Sequence, residues 1–338
     1  MKKINCLITG VTGMVGSHLL DYLLQNTDWN IYGLCRWSSK LDNIEQNLDL
    51  INKKKRVFLL YGDLNDQNSI REVVKKSLPH FVFHLAAESF PKMSFSAPLK
   101  FYDTNIKGTQ SLLEELRNCK LIDPLVHICS SSEIFGKVKK QDLPINESCA
   151  FHPASPYAIS KVGTDLISRY FYEAYNVKTF TTRMFTHTGP RRGDYFAEST
   201  FAKQIAMIEV GAIKPIIKVG NLKSLRTIAD VRDAVRAYYL LLTKNLKPGS
   251  YYNIGGTYSC SVGDILNYLI NLSPFKNKIK IIEDPSRFRE IDADLQIPDS
   301  RLFKKHTGWK PLYTFDQTMH DLLDYWREQV KKKNFLDR

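Results

Sequence analysis

Apolar residues in the first half of the chain gather into short unbroken runs, and the stretches between them are amphipathic. The runs at 4–9, 31–36, 57–61, 81–86, 125–130 and 178–184 read as strands. Between them, 14–25 places Val15, Leu19, Leu20 and Leu23 on one helical face, and 67–77, 99–118 and 157–175 also read as helices. Near-continuous apolar strands alternating with helices predict a parallel sheet covered on both faces, an α/β fold of the doubly wound Rossmann type. Beyond residue 185 the pattern loosens. Helices are expected at 201–210, 231–243, 262–272 and 315–330, and extended chain at 216–219 and 250–254, with loops rich in Pro, Gly and Arg. The expected domains are residues 1–185, a Rossmann unit; 186–330, a smaller α/β unit with some chain returning to the first core; and 331–338, a solvated tail.

The first strand runs into Gly10-Val11-Thr12-Gly13-Met14-Val15-Gly16 and then a helix. In a strand-to-helix turn, Gly10 allows the tight bend, Gly13 lets backbone approach a pyrophosphate, and Gly16 lets the helix pack closely on the strand. Free N–H groups at the helix start then meet the phosphates. The second strand ends at Arg36, where an NAD site usually carries an acid. Arg36, followed by Ser38 and Ser39, suits a 2′-phosphate, so NADP is expected and NAD is the alternative.

Tyr157 and Lys161 are four apart at the start of a predicted helix and share its face. A lysine beside a tyrosine stabilises the phenolate and makes it a usable base. The pair follows the Ser130-Ser131-Ser132-Glu133 run by about 25 residues, and a serine near the tyrosine can hold a substrate hydroxyl.

Composition narrows the remaining classes. The 338 residues suffice for one large or two modest domains with a sizeable core. With 43% hydrophobic and 25% charged residues, disorder, collagen and coiled coil are excluded as whole-chain readings. No run approaches the roughly 18 apolar residues of a membrane span, and Gly10, Thr12 and Gly13 interrupt the N-terminal run before it resembles a signal peptide. The six cysteines show no CxxC pairing, which predicts free thiols in the cytoplasm and no metal site. The formal charge of +13 is the unusual figure. It admits nucleic acid, an anionic membrane, a phosphorylated substrate or simply a lysine-rich proteome, and the dispersed basic residues, with no nucleic-acid module and no membrane span, argue against a nucleic-acid or membrane partner.

Together these elements resemble the extended short-chain dehydrogenases/reductases of the nucleotide-sugar epimerase/dehydratase family. The matching stretches are TGVTGMVGSHL, Gly62-Asp63-Leu64, HLAAES at 84–89, Asn105 ahead of KGT, SSSEIFG at 130–136, Tyr157/Lys161, PRRG at 190–193, VGNLKSLR at 219–226 and TGWKP at 307–311. They span nearly the whole chain. Two branches are similar: GDP-mannose 4,6-dehydratases at RWSS, LLYGDLND, AESFPKMSFSAP and PRRGDYF, and GDP-4-keto-6-deoxy-mannose reductases at FAKQIAMIE, PIIKVGNL, DVRDAV and HTGWKP.

The resemblance implies NADP held at Gly10, Thr12, Gly13, Met14, Val15, Gly16, Arg36, Ser38, Asp63, Leu64, Leu85, Ala87, Tyr157 and Lys161, with Asp63 facing the adenine. It implies catalysis by Ser131, Glu133, Tyr157 and Lys161. It also implies contacts to a nucleotide sugar from Ser89, Thr186, Arg191, Lys203, Val219, Asn221, Arg226 and Arg289, with Arg226 and Arg289 at the diphosphate, Lys203 beneath it, and Val219 and Asn221 at the base. The implied reaction is 4,6-dehydration of a GDP-sugar, with NADP regenerated in each cycle. The 4-keto reductase of the same chemistry is the alternative, and a non-catalytic NADP-binding protein a remote one. Helices 99–118 and 157–175 are those through which relatives pair, so a homodimer or homotetramer is expected. The chain departs from the family pattern in having Thr186 for Asn, Thr227-Ile228 after Arg226, and Ser131 for Thr.

Overall fold

Strands β1 (Asn5–Thr9), β2 (Asn30–Cys35), β3 (Val57–Tyr61), β4 (Phe81–His84), β5 (Leu125–Cys129) and β6 (Thr179–Met184) alternate with helices along the first half of the chain. In β1 and β6 nearly every residue is buried, the signature of a sheet covered on both faces. The computed structural model describes residues 3–332 of the chain. Further along lie β7 (His187–Thr188), β8 (Ile216–Val219), β9 (Leu225–Asp230), β10 (Tyr251–Ile254), β11 (Tyr258–Ser261), β12 (Lys280–Glu283) and β13 (Leu295–Gln296). The main sheet has seven strands in the order β10-β6-β5-β4-β1-β2-β3, all parallel. The strand order reverses beside β1, which fixes where a ligand crevice must open: at the carboxyl ends of β1 and β4.

Local chemistry sets the helix limits. Helix Gln67–Ser77 starts where the Asp66 side chain accepts the Asn68 N–H and stops at Leu78 in a left-handed conformation (φ 37). Helix Pro156–Tyr175 begins with Ser155 accepting the Ala158 N–H and Pro156 in the first turn, and ends on Asn176 at φ 55. Helices Val262–Asn271 and Phe315–Lys331 open with reciprocal capping boxes, Ser261/Asp264 and Thr314/Gln317. The expected helix at 99–118 is a composite. Pro98–Phe101 and Gly108–Asn118 are α-helical, and Tyr102–Lys107 between them is π-helical.

The second half is split between two cores. Phe201, Ile205, Val219, Ile228, Leu266, Leu322 and Trp326 form a core of their own beneath β9, which pairs with β11, β13 and β7. Tyr238, Leu241, Ile254, Phe303 and Trp309, by contrast, join Ile8, Leu19, Leu20 and Leu23 in the core of the main sheet. The extended segment expected at 250–254 is β10, the edge strand of that sheet. Lys331 and Lys332 are the part of the expected tail that falls within the described residues, and the Lys332 ammonium lies 3.7 Å from Glu45.

One ion pair is sealed inside this architecture. Arg183 on β6 forms a fork with Asp165 on helix Pro156–Tyr175 at 2.9 and 3.1 Å, and both side chains are fully buried. Asp165→Ala removes the forked partner of the buried Arg183 and also the partner of Arg169 at 3.1 Å, and we expect it to destabilise the fold by about 3–5 kcal/mol in chemical denaturation. A loss below about 1 kcal/mol, the range of an exposed pair, would contradict this assignment.

Candidate active site

The crevice opens where the topology requires it. After β1 the chain turns through Gly10 at φ +72 and enters helix Met14–Asn26 with Gly13 as its N-cap. No side chain caps this helix and no acid lies in its first turn, so its free N–H groups are available to an anion. A Cβ on Gly10 would lie 2.9 Å from the Cα of Ala86, and one on Gly16 would lie 2.2 Å from the Gly10 carbonyl oxygen. The two glycines permit these close approaches. Neighbours brace the turn: Asn43 donates to the Thr12 carbonyl at 2.9 Å, and the Gly10 N–H donates to the Leu34 carbonyl at 2.9 Å. Thr9 Oγ1 accepts the N–H groups of both Leu85 and Ala86 at 3.0 Å, tying the turn after β4 to β1.

The residues expected at a cofactor line this one edge. Gly10, Thr12, Gly13, Met14, Val15 and Gly16 form the turn and the helix start. Arg36 and Ser38 follow β2, Asp63 and Leu64 follow β3, and Leu85 and Ala87 follow β4. The Asp63 carboxylate accepts the Asn65 N–H at 2.9 Å, which holds its own turn closed. Trp37 stands 81% exposed at the same edge, with its ring 4.8 Å from Tyr61. A glycine cradle over an uncapped helix terminus fits the pyrophosphate of a dinucleotide.

One strand further along, β5 ends at Cys129 and the chain forms a short 3-10 turn, Ser132–Phe135. Ser131 caps that turn, its Oγ accepting the Glu133 N–H at 3.2 Å. Ser131 also shares a hydrogen bond with the phenol of Tyr157, which rises from the first turn of helix Pro156–Tyr175 and is buried. Lys161, one turn on and also buried, donates its ammonium to the Cys129 carbonyl. Burial pushes the Tyr157 phenol far above the ordinary tyrosine value, while the Ser131 bond and the charge of Arg192 pull it down. The expectation that Lys161 lowers the phenol must be adjusted. Here its ammonium is engaged with a backbone carbonyl, and burial lowers its own pKa. Glu133 stands near enough to raise the phenol further.

On the opposite wall, three of the residues expected at the substrate converge on a carboxylate that sequence reasoning did not single out. Asp292 lies 3.5 Å from Arg226, 3.5 Å from Arg289 and 3.1 Å from Asn221. The arginines, Asn221 and Ser224 hold its carboxyl below the usual value against the effect of its burial. Arg289 also lies 3.7 Å from Glu133, linking this cluster to the Ser131 turn. Arg191 is placed elsewhere, paired to Asp21 of helix Met14–Asn26 at 2.7 Å. Lys203 is buried against Asp194 at 3.0 Å. Val219 is sealed in β8, Thr186 accepts the Ala229 N–H through its carbonyl, and Ser89 is exposed on the turn after β4. It is Arg192, rather than Arg191, whose charge reaches Tyr157. Among the described residues no group of three or more His, Cys, Asp and Glu is placed to hold a metal ion.

A switch-point glycine turn beside a Ser–Tyr–Lys group defines the class: an extended short-chain dehydrogenase/reductase. Comparison narrows it. The family model for GDP-mannose 4,6 dehydratase matches residues 7–322, and the chain belongs to that family. GDP-mannose 4,6 dehydratase 1 of Arabidopsis thaliana is 30% identical, over 98% of this chain and 91% of the relative. The GDP-6-deoxy-D-mannose reductase of Pseudomonas aeruginosa is 27% identical, over 96% of this chain and 98% of the relative. Among solved structures, RMD from Pseudomonas aeruginosa complexed with NADPH matches with a TM-score of 0.80 at 25% identity, covering 96% of this chain and 100% of that one.

Beneath the site lie neutral histidines. His84 bridges Thr9 and Thr109 at 2.9 and 3.0 Å, and His127 bonds Thr182 at 2.8 Å. Burial, reinforced by nearby positive charge, pushes His84 and His127 down to about 3. Burial beside Arg191 and Arg192 pushes His18 and His187 to about 4. Each titrates near 6.5 once unfolded, so below that pH the unfolded chain binds protons that the folded chain refuses. Stability is therefore full above pH ~6.5 and falls with acidification, by up to about 1.4 kcal/mol per pH unit for each histidine, until the folded values are reached. The thermal midpoint should drop between about pH 6.5 and 5. A flat profile across that window would refute the neutral buried state.

Proposed function

We propose that this chain is an NADP-dependent nucleotide-sugar 4,6-dehydratase acting on a GDP-hexose of the GDP-mannose type. The observation that carries the reading is Glu133. A site that only moves hydride has no use for a second base, yet this carboxylate sits two residues beyond Ser131, close enough to Tyr157 to shift its pKa. The family membership and the dehydratase relatives support the same reaction. The glycine turn, Arg36, Ser38, Asp63, Leu64, Leu85 and Ala87 would hold the dinucleotide. When bound, it supplies a hydride acceptor at sugar C4 and a donor at C6. Ser131 donates to the sugar O4, and Tyr157 takes the O4 proton as a phenolate, a form that its burial disfavours and that the Ser131 hydrogen bond and the Arg192 charge favour. Oxidation at C4 acidifies the C5 hydrogen, and Glu133 removes it. The proton taken by Glu133 is then available to the departing C6 hydroxyl, which leaves as water. Lys161 holds the Tyr157 turn against β5 through the Cys129 carbonyl. Arg226 and Arg289 offer guanidinium forks to the diphosphate.

We assign cofactor binding and proton transfer to residues 1–185, and most substrate recognition to 186–330. The free cysteines fit work in the cytoplasm, and among the described residues no helix is long and apolar enough to cross a membrane. The protein acts as a homodimer or homotetramer. Supporting this, Ile159, Leu166 and Tyr170 stand exposed along one face of helix Pro156–Tyr175, and Leu99 is exposed on helix Pro98–Phe101, which packs against it. Leu166→Glu should shift the sedimenting species to monomer, and an unchanged mass would exclude this face.

The reductase relative favours one other reading, NADPH-dependent reduction of a 4-keto-6-deoxy sugar. A panel of GDP-, UDP-, CDP- and dTDP-sugars, incubated with the purified chain and followed by mass spectrometry, separates the two. Loss of one water from a GDP-hexose, with no net NADPH consumed, is expected. Turnover only of a 4-keto sugar with stoichiometric NADPH loss would establish the reductase instead. Glu133→Gln should lower dehydration by about 10²–10⁴-fold and abolish exchange of the C5 hydrogen with solvent. Exchange that persists in this variant removes Glu133 as the base.

A further inference from the structure

β2 and β4 flank β1, so the turns that follow them face each other across the glycine turn. Arg36 extends from the first and Glu88 from the second, and Arg36 Nη1 lies 3.8 Å from Glu88 Oε1. Lys100 Nζ reaches the same oxygen at 3.2 Å. One carboxylate thus serves two cations at the mouth of the cofactor crevice. Glu88 is fixed in place by its backbone. Its N–H donates to Asn105 Oδ1 and its carbonyl accepts from Asn105 Nδ2, both at 2.9 Å, and the buried Asn105 donates in turn to Ser160 at 2.8 Å. The Arg36 side chain is 59% exposed and free to swing, whereas that of Glu88 is 24% exposed on an anchored backbone.

We propose that Glu88 sets the cofactor preference by competing with the 2′-phosphate of NADP for Arg36. This rests on the reading of Arg36 as the 2′-phosphate ligand. A 2′-phosphate gains the guanidinium only by drawing it from Glu88, and it then stands near a carboxylate of its own sign. A 2′-hydroxyl is neutral and leaves the pair intact. Glu88 therefore weakens NADP binding and spares NAD, which narrows the selectivity that Arg36 alone would confer. Lys100 moderates the effect. It keeps a partner on Glu88 after Arg36 departs, so the cost of releasing the arginine is lower than for an isolated pair.

The test is calorimetric titration of the full-length chain, freed of nucleotide, with NADP and with NAD. Glu88→Gln should tighten NADP about five- to tenfold, the effect of removing one unit charge at about 4 Å in a solvent-screened cleft, while NAD changes less than about twofold. Lys100→Met, the second variant, should weaken NADP by about two- to threefold and leave NAD unchanged. Arg36→Ala should erase the preference. If Arg36→Ala leaves the ratio of the two affinities unmoved, the 2′-phosphate reading itself fails. If Arg36→Ala collapses the ratio but Glu88→Gln leaves it unmoved, or shifts both nucleotides equally, the competition is overturned and the reading of Arg36 stands.

Discussion

The site depends on one saturated amide. Asn105 lies in the π-helical turn Tyr102–Lys107, where the widened backbone leaves its carbonyl able to accept from Thr109 at 2.6 Å and from Thr164 at 3.0 Å. Its side chain meanwhile closes on both backbone groups of Glu88 and on Ser160. This residue therefore joins the turn after β4 to helix Pro156–Tyr175, which carries Tyr157 and Lys161. An unpaired backbone group in such a place costs about 1–3 kcal/mol, and Glu88 has two of them satisfied here. Hydrogen-bond satisfaction thereby holds the turn after β4 against the tyrosine helix. A π-helical turn at a functional edge is a recurrent device.

Ion pairing across the molecule follows the same economy. Arg183, Lys203 and Arg191 each answer to a particular carboxylate, and Arg226 and Arg289 share Asp292. These cations are spent on internal acids, whereas the buried Lys161 and the half-buried Arg56 donate to backbone carbonyls instead. The surplus that makes the chain +13 resides partly in exposed runs such as Lys53, Lys54 and Lys55. An anionic ligand reaching Arg226 and Arg289 thus meets arginines already shared with Asp292, so its arrival there is an exchange of anions.

Much of the fold was legible because polar residues punctuate it. Gln67–Ser77 and Val231–Thr243 match their sequence limits to the residue, and each begins behind an aspartate cap, Asp66 or Asp230. The glycine turn was legible for a similar reason, since its spacing answers a steric demand that only glycine meets. The π-helical turn was not, because apolar periodicity does not distinguish it from α-helix. β12 is exposed throughout and β11 buries only Cys260, so neither shows an apolar run, and β13 is only two residues long. The role of Asp292 was invisible for a different reason. Its partner Arg226 is 66 residues away, and only the pairing of β9 with β13 brings them together. The same holds for Glu88, whose meeting with Arg36 is a product of strand order. Residues that act locally can be read from sequence, and residues that act across a sheet need its topology.

The four tryptophans of the chain divide unequally. Trp29, Trp309 and Trp326 are buried, at 6%, 0% and 6% exposure, while Trp37 stands 81% exposed beside Arg36. The solvent-facing indole is thus a single fluorophore at the door of the crevice, with three others shielded from quenchers and from changes in polarity. Whatever enters or leaves past Arg36 passes beside that solvent-facing emitter. The unlabelled protein carries its own optical gauge of crevice occupancy.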